Sequence, residues 1–297
     1  MIDIRLKVFR SVATNLSFTK ASQELFISQP AISKHIQELE CEFNTRLFDR
    51  LGNKIQLTSA GKLLLDHSIR IMKDYQKLDF DMNAMQQQYR GELRIGASTT
   101  ISQYVMPKIL AAFLKTYPQI KVTMTSGNTR DIESALSSNR IDIGMVEGIS
   151  HQPHLKYVPF MQDELVAIVR KENPLADNEE ISVEELRTIP IVLRELGSGT
   201  LDVIEKFLHQ HGCNISDLNI AMHFGSTEGI KNFVEHSDSL GIVSMRSVDK
   251  DLQSGRFSLV EIENMKMERN FMFVEKHGET SGMVNILKTF ITKGYSP

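Results

Sequence analysis

Tryptophan is absent from this chain of 297 residues, and cysteine occurs only twice. Cys41 and Cys213 stand far apart in unrelated contexts, which excludes a disulfide scaffold and gives no sign of an oxidising compartment. Long apolar runs are missing as well. No stretch approaches the roughly 18 residues of a membrane span, and the N-terminus enters a charged amphipathic run without a signal-peptide core. These absences predict a soluble, cytoplasmic protein. Collagen and low-complexity disorder are excluded by composition, with 17 glycines and 41% hydrophobic residues. Catalytic signatures are missing too. There is no P-loop or H-E-x-x-H motif, and Gly197-Ser198-Gly199 is not the nucleophile elbow of a hydrolase. His209, His211 and Cys213 crowd into five residues, but histidines two apart on a helix point to different faces, so neither a metal site nor a cofactor is expected.

What is present is unevenly distributed. The net charge of −3 divides into +3 over residues 1–62, balance over 63–90, and −6 over 91–297. A basic N-terminal piece on an acidic body is the pattern of a nucleic-acid reader joined to a different module. The length suits two or three domains at roughly 100–200 residues each.

Residues 4–90 read as almost continuous helix. Ile4, Val8, Phe9, Val12, Ala13 and Leu16 recur at helical spacing, and Ser17 then caps a second helix. After Ile27, Ser28 caps a third that opens Gln29-Pro30, with Ala31, Ile32, Ile36, Leu39 and Phe43 on its buried face. Two short helices joined by a tight turn describe a helix-turn-helix. Leu51-Gly52-Asn53 is a turn signal between two short strands, a small wing. Thr58 caps a helix predicted to run to about Gln88, roughly 45 Å long. Along it Ile71, Tyr75, Leu78, Met82, Met85 and Tyr89 are spaced 4, 3, 4, 3, 4, a heptad seam that predicts a helix–helix dimer.

From Arg90-Gly91 the pattern changes to strands alternating with helices, which means βαβ units and a parallel sheet. Expected strands are Leu93–Ala97, Lys121–Thr125, Asp142–Val146, Leu165–Arg170, Pro190–Arg194, Met222–Gly225 and Gly241–Ser244, in two halves of similar plan around a cleft. A last helix near Gly282–Lys293 should return to the first half. The overall class is α/β, with residues 1–58 for the winged helix-turn-helix, 59–90 for the linking helix, and 91–297 for a two-lobe domain. Lobe I comprises 91–162 with 267–297, and lobe II comprises 163–266. Hydroxyl-rich turns stand at strand ends and open helices, where ligands settle in open α/β folds and exposed N–H groups suit a small anion. They nominate Ser98, Thr99, Thr100, Ser198 and Thr200, together with Asn128 at a neighbouring helix start, as candidate contacts for a small ligand, with no arginine cluster in sequence beside them.

Five motifs carry a resemblance. Ser17-Phe18-Thr19-Lys20-Ala21-Ser22, Ser28-Gln29-Pro30-Ala31-Ile32-Ser33, Ile36-Gln37-Glu38-Leu39-Glu40, Leu47-Phe48-Asp49-Arg50 and Leu57-Thr58-Ser59-Ala60-Gly61 stand in order and without insertions. They resemble the winged helix-turn-helix of LysR-type transcriptional regulators. The remaining chain is similar to that family's periplasmic-binding-protein-like effector domain, most like the CysL-type branch, which is tied to sulfur assimilation. The resemblance implies a homo-oligomer, tetramers as dimers of dimers, contact with RNA polymerase, a small-molecule effector, and double-stranded operator DNA. A recognition helix entering the major groove brings base edges to Gln29, Pro30 and Ser33, and leaves Thr19, Lys20, Lys34, Arg50 and Lys54 for phosphates. A freestanding solute-binding protein of the periplasmic type shares the two-lobe plan, but it would need an export signal and has no use for residues 1–90.

Overall fold

Asp3 accepts a hydrogen bond from the Arg5 amide at 2.8 Å and starts α1 (Ile4–Asn15), whose inner face buries Val8, Phe9 and Val12. Ser17 caps α2 (Phe18–Leu25) by accepting from Lys20 N at 3.2 Å. Phe26 leaves that helix in the left-handed region, and Ser28 caps α3 (Gln29–Glu42) with proline in its first turn. In this computed structural model the described residues are 3–51, 54–86, 88–149, 151–178, 180–278 and 281–295, apart from the side chains of Arg50, Leu51, Lys54 and Tyr295. They form two compact units, Met1–Gln88 and Tyr89–Pro297.

The first unit closes over Val8, Phe9, Val12, Ala21, Ile32, Ile36, Leu39, Leu47 and Phe48. The wing is the antiparallel pair β1 (Phe48–Leu51) and β2 (Lys54–Leu57), in register Phe48 with Leu57 and Leu51 with Lys54. Glu40 ties it to α3: its Oε1 accepts from the amides of Leu47 at 2.7 Å and Phe48 at 3.4 Å. Thr58 then caps α4 (Ser59–Ala84), accepting from Gly61 N at 2.9 Å while its hydroxyl donates to the Arg46 carbonyl. Gly61 is obligatory there, since a Cβ would overlap the carbonyl oxygen of Leu47 and sit 2.9 Å from Leu57 Cδ2.

At 26 residues, α4 spans about 39 Å. It stops at Ala84 rather than Gln88, because the Asn83 carbonyl collects the amides of both Gln86 and Gln88 and turns the chain. Ile71, Tyr75, Leu78, Met82 and Met85 lie along one exposed line of the helix and its cap, whereas Ser68, Met72, Phe80 and Asn83 occupy a different, buried face. Tyr89 does not belong to that line. It lies beyond the helix end in the second unit, its ring edge-on to Tyr117 at 5.5 Å.

The second unit is one mixed sheet. Its strands are β3 (Gly91–Ser98), β4 (Ile120–Gly127), β5 (Ile143–Val146), β6 (Leu155–Arg170), β7 (Glu180–Ile181), β8 (Ile191–Arg194), β9 (Ile220–Phe224), β10 (Leu240–Ser244), β11 (Phe257–Ile262) and β12 (Met267–Lys276). The order is β4-β3-β5-β12-β6-β10-β8-β9, with β11 and β7 attached beside β6. Pairing is parallel among β4, β3 and β5 and among β10, β8 and β9, but antiparallel wherever β6 or β12 takes part, except that β7 joins β11 in parallel. The two long strands β6 and β12 therefore form the centre, with a parallel α/β half on either side. One half carries α5 (Met106–Thr116), α6 (Thr129–Ser137) and the last helix α11 (Gly282–Tyr295), which packs on α5 through Phe290 against Phe113. The other carries α7 (Val183–Leu186), α8 (Gly199–Gln210), α9 (Thr227–Glu235) and α10 (Met245–Gln253).

The first half of β6 and all of β7, α10, β11 and β12 were not expected from the sequence. A proline and the polar run Gln162-Asp163-Glu164 interrupt the apolar pattern of β6. The register shift opposite Phe271 and Met272 absorbs Phe160 as an extra residue beside Pro159, which cannot donate to a ladder. Among the described residues no helix is long and apolar enough to cross a membrane.

Candidate functional site

On the first unit, α3 buries Ile32, Ile36 and Leu39 and turns its opposite side outward. Gln29, Pro30 and Lys34 are exposed and Ser33 is half-buried, so the first turn presents an amide, a ring face, a hydroxyl and an ammonium group together. Lys34 Nζ lies 4.0 Å from Glu38 Oε1, an exposed pair that leaves the lysine available. Thr19 and Lys20 are exposed in the first turn of α2, where the helix N-terminus adds partial positive charge. Arg50 and Lys54 fall on the wing strands, but their side chains, with all of Gly52 and Asn53, lie outside the described residues. Cys41 is exposed on α3.

In the second unit the hydroxyl-rich turns come together, and each is committed to protein partners. Ser98, at the end of β3, donates its hydroxyl to Glu147 Oε2. Thr99 donates to the Gly127 carbonyl at 3.2 Å. Thr100, buried, precedes a single π turn (Ile101–Val105) that leads into α5, without capping it. Asn128 caps α6 in a reciprocal box with Asp131, and Ser198 caps α8 through Thr200 N at 3.2 Å. Capping thus accounts for Asn128 and Ser198 outright.

The sequence reading missed the charge that organises these turns. Two arginines are buried here, although no arginine cluster is apparent beside the turns in sequence. Arg269, on β12, lies at the centre. Its Nη1 donates to Thr200 Oγ1 at 2.9 Å and stands 4.0 Å from Glu147 Oε1, while Nε and Nη2 each lie 2.7 Å from Asp163 Oδ2. Asp163 also accepts from Ser244 at 2.7 Å, so this buried pair is closed by further hydrogen bonds, as a desolvated ion pair requires. Arg194 ends β8 with its side chain 2% exposed. Its Nε and Nη2 donate to Glu195 at 2.8 and 3.0 Å, and Nη2 reaches Thr99 Oγ1 at 3.3 Å and the Gly225 carbonyl at 3.4 Å. Burial raises the Glu195 carboxyl, but the Arg194 hydrogen bonds and charge outweigh it, with help from Asn128, and hold it below the ordinary range.

Contacts across the centre are close. The α6 N-terminus meets the loop before α8, with Arg130 N donating to the Gly197 carbonyl at 3.3 Å, and Thr129 Oγ1 donates to the Glu147 carbonyl at 2.8 Å. A second link runs from Tyr104, in the π turn, to Glu228 on α9, which also receives Lys231 at 2.9 Å. Burial and that carboxylate push the Tyr104 phenol well above its usual range. A groove of about 940 Å³ is lined by Tyr104, Lys108, Asp163, Arg246, Asp249 and Arg269 among others, and by none of the six hydroxyl and amide candidates. Cys213 is buried in the hydrophobic core, His211 Nδ1 pairs with the Phe207 carbonyl at 2.7 Å, and His209 is exposed.

Comparison with known proteins gives this arrangement a family. Residues 4–62 match the model of the bacterial regulatory helix-turn-helix protein, lysR family, and residues 86–293 match the LysR substrate binding domain. The HTH-type transcriptional regulator CysL of Bacillus subtilis is 32% identical over 269 residues, covering 91% of this chain and 89% of that protein. Full-length CbnR complexed with its target DNA superposes with a TM-score of 0.67 at 19% identity, covering 99% of each chain. The CcmR regulatory domain of Synechocystis, in complex with 2-PG, gives a TM-score of 0.62 at 24% identity, covering 70% of this chain and all of that one. The chain belongs to the LysR family of transcriptional regulators, with an N-terminal DNA-binding helix-turn-helix followed by an effector-binding domain.

Proposed function

We propose that this regulator reads a pseudo-palindromic operator with the first turn of α3 and answers to a small anionic metabolite held in the second unit. The observation that carries the DNA half is the face of α3. Gln29, Pro30 and Lys34 are exposed at the N-terminus of a helix whose other side is locked in the core. Gln29 has the geometry to pair bidentately with adenine, Pro30 offers an apolar face to a thymine methyl, and Ser33 donates or accepts. Thr19, Lys20, Lys34, Arg50 and Lys54 take phosphates, which fix register and salt dependence without reading sequence.

The exposed line from Ile71 to Met85 pairs with the same line of a second copy, so that two recognition helices meet half-sites about one helical turn apart. Pairs of dimers form the tetramer that engages RNA polymerase, and the protein works in the cytoplasm. Ser98, Thr99, Thr100 and Thr200 line the effector site, with Asn128 and Ser198 shaping it from their caps. Similarity to CysL makes sulfur-containing anions the first class to try, and the CcmR regulatory domain in complex with 2-PG supports a small ligand in this fold.

Two substitutions separate the roles on α3. Gln29→Ala should relax base preference at one operator position and cost about 1–3 kcal/mol on the specific site, with little change on random DNA. Lys34→Ala should weaken both alike and make the salt dependence shallower by about one unit of slope. Fluorescence anisotropy on operator and scrambled duplexes at several salt concentrations measures both. Unchanged discrimination in Gln29→Ala would remove α3 from the major groove.

A further inference from the structure

Arg194 is a buried cation of the second unit whose hydrogen bonding is left incomplete among the described residues. Its Nη1 is buried and has no hydrogen-bond partner there. A guanidinium has five N–H donors, and leaving part of it desolvated and unpaired carries a cost that native interiors seldom tolerate. Arg269 makes a useful contrast. Its Nη2 also lacks a hydrogen bond there, but it lies 2.7 Å from Asp163 Oδ2, Nε donates to that same oxygen, and Thr200 and Glu147 stand on the remaining side, so its charge is already matched by buried carboxylates. Among the described residues the carboxylate paired with Arg194 is Glu195, which is about a quarter exposed.

The position of the guanidinium says what should complete it. Nη2 touches Thr99 Oγ1, at the end of β3, and the Gly225 carbonyl, just before Ser226 caps α9. The charged group therefore sits between the Thr99–Thr100 turn and the start of a nine-residue helix, whose first-turn N–H groups favour negative charge. Glu147, a buried acid beside these turns, is occupied by Ser98 and stands 4.0 Å from Arg269 Nη1.

We propose that Arg194 selects the effector by charge, its Nη1 taking one oxygen of a small oxyanion or carboxylate seated between Thr99–Thr100 and the start of α9. This rests on the reading that the effector binds at these turns, and it adds the residue that decides what class of molecule is accepted. Glu195 becomes the competing counter-charge, displaced in part when the ligand arrives.

The test is calorimetric titration of the full-length protein with sulfite, sulfate, phosphate and glycolate, for wild type and four variants. Wild type should bind at least one of these anions. Arg194→Gln should weaken that binding about a hundredfold, and Arg194→Lys, which keeps the charge but not the fork, about tenfold. Glu195→Gln should tighten it severalfold, because it removes the competing carboxylate, and a purely structural arginine would not produce that sign. If Arg194→Gln fails to fold, the Lys and Glu195→Gln variants carry the decision. Failure of wild type to bind any of the four, or equal affinity across these variants, overturns the proposal. Thr100→Val separates the two levels: weakened binding there beside normal binding in the Arg194 variants keeps the site and discards Arg194. Normal binding in every variant discards the site as well.

Discussion

Leu78→Asp should dissociate the regulator into single chains and abolish specific DNA binding while leaving each chain folded. Leu78 is 55% exposed on α4, between Tyr75 and Met82 on the same line, so a carboxylate there costs the isolated chain little. In a symmetric pair the same residue faces its copy in a desolvated seam. An uncompensated buried charge costs about 3–5 kcal/mol, and a twofold axis doubles it, which is more than a thousandfold in association. Sedimentation velocity should show a smaller species with unchanged circular dichroism, and operator affinity should collapse although α3 is intact. An unchanged oligomer would mean that the line from Ile71 to Met85 is covered in some other way.

The second large effect is expected at Gly199. A Cβ there would overlap the carbonyl oxygen of Glu147 and lie 2.8 Å from Thr129 Oγ1, so β5, α6 and α8 meet at a point that admits no side chain. The obstacle is backbone, and no rotamer relieves it. Gly199→Ala should cost about 3 kcal/mol or more, a drop of roughly 6–12 °C in the unfolding temperature of the second unit. It should also disturb the effector site, because Ser198 and Thr200 flank it. Gly225→Ala is the control: a Cβ there meets nothing within 4 Å and the backbone needs no left-handed conformation, so its melting should stay within about 1 °C of wild type. Equal melting of the two variants would show that α8 can move away from Glu147 without loss.

Local rules made the first unit readable in advance. Ser17, Ser28 and Thr58 cap their helices as their spacing implies, and β1 and β2 flank the Leu51-Gly52-Asn53 signal in sequence, of which Gly52 and Asn53 lie outside the described residues. The same holds for Asn128, Ser198 and Ser226 and for most strands of the two outer halves. What stayed hidden is non-local. β6 and β12 pair over more than a hundred residues of separation, with Arg269 on Asp163 as one of their contacts, and no periodicity within either segment reports that pairing. Nothing within their own segments ties Arg194 and Arg269 to the turns they contact, for the same reason. Thr99 is 95 residues from Arg194, and Thr200 is 69 from Arg269. One local signal did exist for Arg194: it follows the apolar run Ile191-Val192-Leu193 at the end of a strand, where a charged residue next to a hydroxyl-rich turn is a candidate for a buried role. Tyr89 failed for a simpler reason, since the heptad spacing extends past the point where the chain stops being helical.

The most direct measurement is a footprint of the full-length protein on the DNA upstream of its own gene, run for wild type and Gln29→Ala across salt concentration. The account predicts two protected half-sites with centres about 10 base pairs or a multiple apart. It also predicts that Gln29→Ala loses protection there at concentrations where binding to random DNA is unchanged. Absence of protection by the wild-type protein, or half-sites protected equally by Gln29→Ala, would contradict it.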